Sequence, residues 1–488
     1  MSKKVLAFDF GASSGRAMLA EFDGKDITMN EIHRFSNDPV KLQGTFYWDI
    51  LRLMHEIKQG IVKAVNAGGF DAIGIDTWGV DFGLLDKEGK LLGNPLHYRD
   101  ENTMGIIEEA NKVVPKAEIY ERTGIQFARY NSLFQLYSLA TKRPDILERA
   151  EKMLFIPDLM AYFLTGEMKA EFTIASTSQM LDAKTQAWDD ELLEKLSIPK
   201  KILPEIIPCG SISGMLSDEI CEELGCKKVP VIAVASHDTG SAVVAVPNVT
   251  DDFIYISCGT WSLFGTELSK PIINEKTEKY NFTNEGGYGG KVRLLKNIMG
   301  LWLIQESRRQ WIREGFDVSY GDLEKEALAC EPFKCFVDVD DDAFSLPGNL
   351  PKRIQEFCQK TGQYVPQTRG EIMRCIYQSL AMKYRYTYER LEDITGKKYD
   401  AIHMIGGGTK DNLLCQMTAD FCKINVIAGP IEATATGNVA VQMIALDEFK
   451  NITDARQIIA NSLNPVYYNP RAEIDCEAAY REFLKYIG

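Results

Sequence analysis

The sequence predicts an α/β protein built from two related domains, and three observations support this. Strands and helices alternate through the first half of the chain. A strand–turn–strand pattern over residues 5–22 recurs, without its aspartate, over residues 253–266. The length of 488 residues is more than one hydrophobic core normally serves. A weak duplication of this kind favours two α/β domains that face each other. The polar turn at 247–252 predicts domains at 1–247 and 253–488.

The elements follow from hydrophobic periodicity, taken in chain order. The predicted strands are residues 5–8, 17–22, 71–78, 80–85, 228–235, 253–257, 261–266 and 401–405. The predicted helices are residues 50–65, 300–311, 370–391 and about 411–422. Residues 96–203 are less regular and rich in helix patterns.

Composition and charge exclude several classes of protein. A hydrophobic fraction of 45% and a charged fraction of 25% are normal for a globular chain. The net charge of −14 argues against nucleic acid and anionic membranes as partners. The sequence contains no apolar run of the ~18–20 residues that a membrane span needs and no signal-peptide pattern. We therefore expect a cytoplasmic monomer or homodimer with small-molecule partners.

The cysteines indicate reduced thiols rather than zinc ligands. Eleven cysteines and five histidines occur, without a CxxC pair. Most of these thiols are expected to be buried and unpaired. A disulfide between Cys358 and Cys375 is the less favoured alternative.

Residues 9–16, DFGASSGR, predict a phosphate-binding turn between two strands. Small residues let several backbone N–H groups and hydroxyls approach one phosphate. The carboxylate of Asp9 can hold a hydrated Mg²⁺. The segment is not a P-loop, because GxxxxGK[ST] is absent. An ordinary hairpin turn is the alternative.

Two turns in the second half favour a nucleotide. If the halves are duplicated domains, Gly259–Thr260 faces the first turn and neutralises the triphosphate from a second side. The triplet Gly406–Gly408 follows a strand and precedes a helix, so its backbone can pass close under a flat adenine ring. Taken alone, each turn could be purely structural.

Candidate catalytic and sugar-binding residues follow two other strands. Asp238 can accept the proton of an attacking hydroxyl, or cap a helix. His237 can bind a sugar hydroxyl, or be a satisfied core residue. Trp78, between Asp76 and Asp81, is typical of a sugar-binding site, although a core tryptophan is nearly as well supported.

Seven segments, in this order, resemble the FGGY family of carbohydrate kinases. None is specific alone, but together they are spread in register from residue 11 to residue 434. The segments are GASSGR (11–16), GIDTWGVDF (74–82), ASHDT (235–239), GTWSL (259–263), TNEGG (283–287), LKNIMGLWL (295–303), and IGGGTKDNLL (405–414) with its downstream AGPIEAT (428–434).

The resemblance implies two actin-like (ribonuclease H-like) domains with a central cleft, and transfer of the γ-phosphate of ATP, with Mg²⁺, to L-rhamnulose. Asp238 would be the base and Asp9 the metal ligand. The nucleotide would contact Ala12, Ser13, Ser14, Gly15, Arg16, Thr260, Gln305 and the triplet Gly406, Gly407 and Gly408. The sugar would contact Gly79, His237, Asp238, Thr239 and Asn297.

Two alternatives stay open at this point. Another deoxyketose kinase of the same family, such as an L-fuculokinase, fits most of the same residues, although the segment 295–303 favours L-rhamnulose. A non-catalytic sugar or nucleotide sensor would keep the fold, but the intact Asp238 argues against it. Domain closure that excludes water is also expected, with residues 247–252 as part of the hinge.

Overall fold

The computed structural model describes residues 2–248, 250, 252–462 and 465–487. It is a mixed α/β protein with two compact units. The first unit combines residues 1–251, 267–294 and 433–463, and the second combines residues 252–266, 295–432 and 464–488. Val249 and Asp251, in the expected hinge, lie outside the described residues. The contiguous domain ranges stay a prediction.

The strands, in chain order, are β1 (Lys3–Phe10), β2 (Ser14–Phe22), β3 (Ile27–Ser36), β4 (Val40–Leu42), β5 (Thr45–Tyr47), β6 (Ala72–Thr77), β7 (Phe82–Leu85), β8 (Lys152–Phe155), β9 (Lys169–Glu171), β10 (Glu205–Ile207), β11 (Ile212–Met215), β12 (Pro230–Ile232), β13 (Ile254–Cys258), β14 (Trp261–Leu268), β15 (Thr283–Gly286), β16 (Val292–Met299), β17 (Ala401–Ile405), β18 (Asn425–Ala428) and β19 (Val466–Tyr468).

The helices are α1 (Ile50–Asn66), α2 (Ile106–Asn111), α3 (Lys116–Thr123), α4 (Ser132–Lys142), α5 (Pro144–Arg149), α6 (Ile156–Thr165), α7 (Phe172–Ser176), α8 (Asp190–Lys195), α9 (Asp218–Leu224), α10 (Asp238–Val244), α11 (Glu275–Lys279), α12 (Trp302–Arg313), α13 (Tyr320–Leu328), α14 (Leu350–Lys360), α15 (Arg369–Thr395), α16 (Asn412–Cys422), α17 (Ala433–Ala445), α18 (Ile452–Ser462) and α19 (Glu477–Phe483).

The first unit is built on a sheet with the order β11–β12–β6–β1–β2–β3. Strand β1 is antiparallel to β2 and parallel to β6. Helix α1 covers one face, where Gly60 allows it to lie against the ring of Phe8. Helix α17 covers the opposite face, where Asn438 and Gln442 fill the space beside Gly74. The parallel strands β1, β6 and β12 end at one edge of this sheet, which is where ligands bind in open α/β sheets.

The second unit repeats this hairpin-plus-parallel-strand arrangement. Strand β13 is antiparallel to β14 and parallel to β17, as β1 is to β2 and β6. The order continues as β16–β14–β13–β17–β18–β19. Residues 259–260 therefore occupy the position in the second hairpin that residues 11–13 occupy in the first. The internal duplication read from the sequence corresponds to this repeat.

Several predicted elements differ at their ends for local reasons. The strand predicted at 228–235 forms β12 only over Pro230–Ile232, because the chain turns just beyond it, where Val234 N donates to Ile232 O (2.9 Å). The strand predicted at 80–85 begins at Phe82, because Val80 has a φ of 67°. The strand predicted at 401–405 matches β17.

Two expectations concern membranes and thiols. Within the described part of the chain, no helix has both the length and the apolar character that a membrane crossing requires. All eleven cysteines are free, so the alternative pairing of Cys358 with Cys375 is not formed.

Candidate active site

The turn after β1 is a tight, well-braced hairpin. Gly11 N donates to Ser14 O (2.9 Å), and the side chain of Asn37 donates to Gly11 O (2.9 Å). Ser13 and Ser14 are exposed. Gly15 is buried, and a Cβ there would lie 2.3 Å from the ring of Phe35. The turn therefore presents its hydroxyls outward on a fixed backbone.

Asp9 and Arg16 stand opposite each other across this hairpin and form an ion pair. Their positions are paired in the β1–β2 register. The Nε and NH2 groups of Arg16 donate to one carboxylate oxygen, Oδ2 of Asp9, at 3.0 and 2.7 Å. The guanidinium is thus oriented by Asp9, at the mouth of the turn.

Asp76 is the second acid at this sheet edge. It pairs with Asp9 in the parallel β1–β6 register and is fully buried. Its Oδ2 accepts a hydrogen bond from Asn438 (2.6 Å), while Oδ1 has no partner among the described residues. Burial, followed by the negative charge of Asp9, raises the pKa of Asp76 well above its usual value.

Asp238 is the first residue of α10, directly after the end of the strand region. Thr77 N donates to Ser236 O (2.9 Å), which holds this segment against the end of β6. Oδ1 of Asp238 accepts hydrogen bonds from the backbone N–H (2.6 Å) and the hydroxyl (3.2 Å) of Thr239. Burial raises the pKa of Asp238, and the negative charge of Asp9 raises it further. The carboxyls of Asp9, Asp76 and Asp238 thus interact electrostatically.

His237 is positioned by a buried arginine that the sequence reasoning did not identify. The NH2 group of Arg293 lies 3.1 Å from Nδ1 of His237 and 3.2 Å from Oε2 of Glu285. A guanidinium can only donate, so Nδ1 is the acceptor and Nε2 carries the hydrogen. Nε2 lies 3.5 Å from Oδ1 of Asp238. Arg293 is fully buried, and its Nε donates to Gly286 O (2.8 Å).

Gly79 lies against this histidine. A Cβ at Gly79 would lie 3.3 Å from Nε2 of His237 and equally close to Thr177. The next residue, Val80, has a left-handed φ of 67°, which is strained for a β-branched side chain. Its backbone N–H donates to the hydroxyl of Thr177 (3.2 Å). The loop therefore packs close to the imidazole, where a side chain at position 79 would be crowded.

The structure favours the core alternative for Trp78 and Asp81. Trp78 is 5% exposed and packs on Trp48, with ring centroids 4.1 Å apart. Oδ2 of Asp81 accepts hydrogen bonds from both indoles, at 2.6 Å from Trp48 and 3.0 Å from Trp78. It also accepts one from Tyr98 N (3.1 Å), and Oδ1 accepts one from Gln135 (3.0 Å). Asp81 thus accepts the hydrogen bonds of a buried network that includes Trp48, Trp78 and Gln135.

In the second unit, Thr260 and Gln305 come together. The turn after β13 is held by the start of α12, where Gly300 N and Trp302 N donate to Thr260 O (3.1 and 3.2 Å). The hydroxyl of Thr260 donates to Oε1 of Gln305 (3.3 Å). A Cβ at Gly300 would lie 2.4 Å from Ser262, so only glycine allows this close approach.

The glycine triplet lies beside the same turn. A Cβ at Gly408 would lie 2.2 Å from Sγ of Cys258, and Gly406 has a φ of 88°. Gly407 faces open space, and a Cβ there would meet no described atom within 4 Å. Two of the three glycines are therefore required by packing and backbone geometry, and Gly407 is the one that can face a ligand.

The predicted site residues divide between the units as follows. The first unit holds Ala12, Ser13, Ser14, Gly15, Arg16, Asp9, Gly79, His237, Asp238 and Thr239, and the second holds Thr260, Gln305, Gly406, Gly407, Gly408 and Asn297. Asn297 is half-buried on β16. The sequence analysis did not identify Asn438. The usable signal was a pair of amide side chains, Asn438 and Gln442, four residues apart on a largely apolar helix. Gln442 donates to Oδ1 of Asn438 (2.7 Å).

Comparison with known proteins identifies the family. The model for the N-terminal domain of the FGGY family of carbohydrate kinases matches residues 4–245, and the model for its C-terminal domain matches residues 254–446. These matches cover most of the chain, and the two hairpins with their glycine turns lie within them. The chain belongs to the FGGY family of carbohydrate kinases.

Relatives within the family and solved structures of similar fold were also found. The chain is 44% identical to a rhamnulokinase from Bacteroides thetaiotaomicron, covering 99% of both chains. It is 41% identical to a rhamnulokinase from Bacillus subtilis, covering 99% of this chain and 98% of the other. Its fold resembles a ligand-bound xylulose kinase from Lactobacillus acidophilus (TM-score 0.79, 17% identity, 99% and 96% coverage). It also resembles a glycerol kinase from Plasmodium falciparum with ADP (TM-score 0.77, 16% identity, 99% and 96% coverage).

Proposed function

We propose that this protein transfers the γ-phosphate of ATP to the C1 hydroxyl of L-rhamnulose, giving L-rhamnulose 1-phosphate. The observation that carries the proposal is the half-buried carboxyl of Asp238 at a sheet edge, whose Oδ1 lies 3.5 Å from Nε2 of His237 and which is within the electrostatic influence of Asp9. Rhamnulokinases that are 41–45% identical over nearly the whole chain support the choice of sugar.

Asp238 acts as the general base. A carboxylate whose pKa is raised by desolvation is a better proton acceptor than an ordinary aspartate. Its Oδ1 is held by two hydrogen bonds from Thr239, which fix the carboxylate plane. Phosphoryl transfer depends mainly on positioning and electrostatics, so a fixed carboxylate that orients the hydroxyl is sufficient.

His237 binds the sugar next to this base. Because Arg293 donates to Nδ1, the hydrogen on Nε2 is available to a sugar oxygen on the side of Asp238. Gly79 lies close beside the imidazole, and Thr239 follows Asp238 at the start of α10. Asn297 is proposed as a further sugar contact.

Each unit offers groups that suit part of a nucleotide. Ala12 to Arg16 offer backbone amides, two exposed hydroxyls and one guanidinium to the phosphates. In the second unit, Thr260 and Gln305 form one polar pair, and Gly407 offers an open backbone surface of the kind that a flat adenine ring requires. These contacts, and ATP as the donor, are consistent with a carbohydrate kinase.

The donor atoms at the sheet edge fit Mg²⁺. Hard oxygen ligands suit this ion, and Oδ1 of buried Asp76 lacks a partner among the described residues beside the carboxylate of Asp9. Asp9 would hold the ion, and Asp76 is the neighbouring acid on strand β6. When bound, Mg²⁺ neutralises charge on the phosphates.

The chemistry of the sugar supports the C1 position. L-Rhamnulose ends in a methyl group, so its only primary hydroxyl lies beside the ketone. A primary hydroxyl is the least hindered acceptor for in-line attack. Exclusion of water from the site would protect ATP from hydrolysis.

The test is a comparison of ketoses with ATP and Mg²⁺, in which ADP release is measured and the product is identified by ³¹P NMR. We expect L-rhamnulose to give the highest kcat/KM and a 1-phosphate. Equal or better turnover of L-fuculose or L-xylulose would overturn the choice of sugar. Absence of sugar-dependent ADP release in a folded protein would indicate a non-catalytic sensor.

A further inference from the structure

Three cysteines from separate segments meet in the interior of the second unit. Cys335 lies in the chain after α13, Cys358 on α14 and Cys375 on α15. Their three sulfur atoms all lie within 4.8 Å of one another. All three are free thiols, and they are 4%, 0% and 2% exposed. The kinase chemistry proposed above does not use them.

The backbone around these thiols is held in place from two sides. Gln363 accepts a hydrogen bond from Phe336 N (2.8 Å) and donates one to Phe336 O (2.9 Å), and its own N–H donates to Cys358 O (2.9 Å). Val337 N donates to the hydroxyl of Ser379 (2.9 Å), one turn beyond Cys375. The segment that carries Cys335 is thus fixed to both helices, and the spacing of the sulfurs is preorganised.

The three thiols also shift one another's pKa values. Cys358 accepts hydrogen bonds from the other two thiols, and these lower its pKa to about 4. The same contacts raise the pKa of Cys335 and Cys375. Three buried sulfurs at this spacing form a soft ligand set.

We propose that Cys335, Cys358 and Cys375 form a three-sulfur binding site for a soft, thiophilic cation of the Cu(I) or Cd(II) class. Soft thiolates select such ions over hard cations such as Mg²⁺. Among the described residues, this group contains three sulfurs and no fourth histidine, cysteine or carboxylate ligand. Structural zinc sites use four protein ligands, so a three-coordinate ion fits better.

A cation bound at this site would stabilise the second unit near the triplet Gly406–Gly408. The cation would join α14, α15 and the segment of Cys335. Two residues beyond Cys375, Tyr377 donates to Oδ2 of Asp411 (2.6 Å). Asp411 caps α16, directly after the triplet Gly406–Gly408. Because a metal that binds only the folded state stabilises it by mass action, a higher Tm is expected on loading.

The first experiment is a titration of the reduced, metal-free full-length chain with Cd²⁺ under argon. We expect a sulfur-to-cadmium charge-transfer band that saturates with one ion per chain in its tightest phase. We also expect release of protons on binding in weak buffer at neutral pH, because thiols bind the ion as thiolates. X-ray absorption at the cadmium edge should find three sulfur neighbours. Fewer than three sulfur neighbours, or no band, would overturn the site.

Variants identify the thiols responsible. Cys375→Ser should remove the three-sulfur species and weaken binding at least about 10-fold, consistent with loss of one ligand. The matched control is Cys226→Ser in the first unit, which breaks the contact between Cys221 and Cys226, another thiol pair that could take Cd²⁺. It should leave the three-sulfur species unchanged. The proposal fails if Cys375→Ser retains that species or if Cys226→Ser abolishes it. The absorption measurement on the parent chain decides the case if Cys375→Ser does not fold.

Discussion

The packing of α17 on α10 yields a sharp prediction for Gly437→Ala. A Cβ at Gly437 would lie 1.7 Å from the carbonyl oxygen of Ser241, and ordinary contact begins at 3.4 Å. The obstacle is backbone, so it cannot turn aside as a flexible side chain could. The two helices must therefore separate locally by about 1.7 Å. Asp238, the proposed base, begins the same helix α10.

The cost of this separation has two parts. Overpacking in a core typically costs about 1–3 kcal/mol of unfolding free energy. A displacement of about 1 Å of a catalytic group can lower turnover about 100-fold. We expect Gly437→Ala to lower the free energy of unfolding by about 1–3 kcal/mol. It should also lower kcat by about 10- to 100-fold. Urea unfolding and ADP release with saturating sugar and ATP measure the two effects.

The matched control is Gly240→Ala, on α10 itself. The nearest atoms to a Cβ there belong to Ala235 and Thr173, at ordinary distances of 3.4–3.5 Å. This variant should keep kcat within about 3-fold of the parent, and helix propensity predicts a stability change of at most about 1 kcal/mol. The reasoning is refuted if Gly437→Ala unfolds and turns over like the parent, or if both variants are impaired equally.

Three further predictions concern single side chains. Asp238→Ala should lower kcat about 100-fold or more while ATP binding, measured by calorimetry, is retained; turnover within 5-fold of the parent would remove Asp238 from the role of base. Arg293→Met removes the donor to Nδ1 of His237 and should lower kcat/KM for the sugar about 10-fold or more, with Arg293→Lys intermediate; a change in Tm alone would make Arg293 purely structural. Asp81→Asn places an amide donor among the N–H groups that now donate hydrogen bonds to Asp81, so it should cost about 1–3 kcal/mol of stability with the sugar KM unchanged. A raised KM for the sugar at unchanged stability would instead support a sugar-binding role for Asp81.

The parts of the site that depend on local sequence could be predicted. The hairpin at residues 9–16 combines two apolar runs with small turn residues, and its geometry is set within the segment. The strand predicted at 401–405 and the following glycine turn depend likewise on short-range patterns. His237–Asp238 could be placed at the end of a strand for the same reason, although the ladder itself stops earlier, at Ile232.

Contacts between distant parts of the chain could not be predicted in this way. Asn438 reaches Asp76 from 362 positions along the chain, and its helix α17 belongs to the first unit although it follows most of the second. Hydrophobic periodicity reports which face of a helix is buried but not which sheet it covers. The core role of Trp78 was equally open, because a tryptophan between two acids fits a sugar site and a buried hydrogen-bond network alike. Only the positions of Trp48 and Gln135 distinguish them.

The electrostatic link between Asp9 and Asp238 predicts a shift in the pH profile of Asp9→Asn. A base must be deprotonated, so activity rises with pH through the pKa of Asp238, which burial and the negative charge of Asp9 raise. Asp9→Asn removes that charge, and its loss lowers the pKa of Asp238. The acid limb of kcat/KM for the nucleotide, measured at saturating sugar, should therefore move to lower pH even if the absolute rate falls. Asp23→Asn, in the exposed turn after β2, should leave the limb in place. A limb that stays fixed or moves to higher pH in Asp9→Asn would mean that the two carboxylates do not act on one reaction centre.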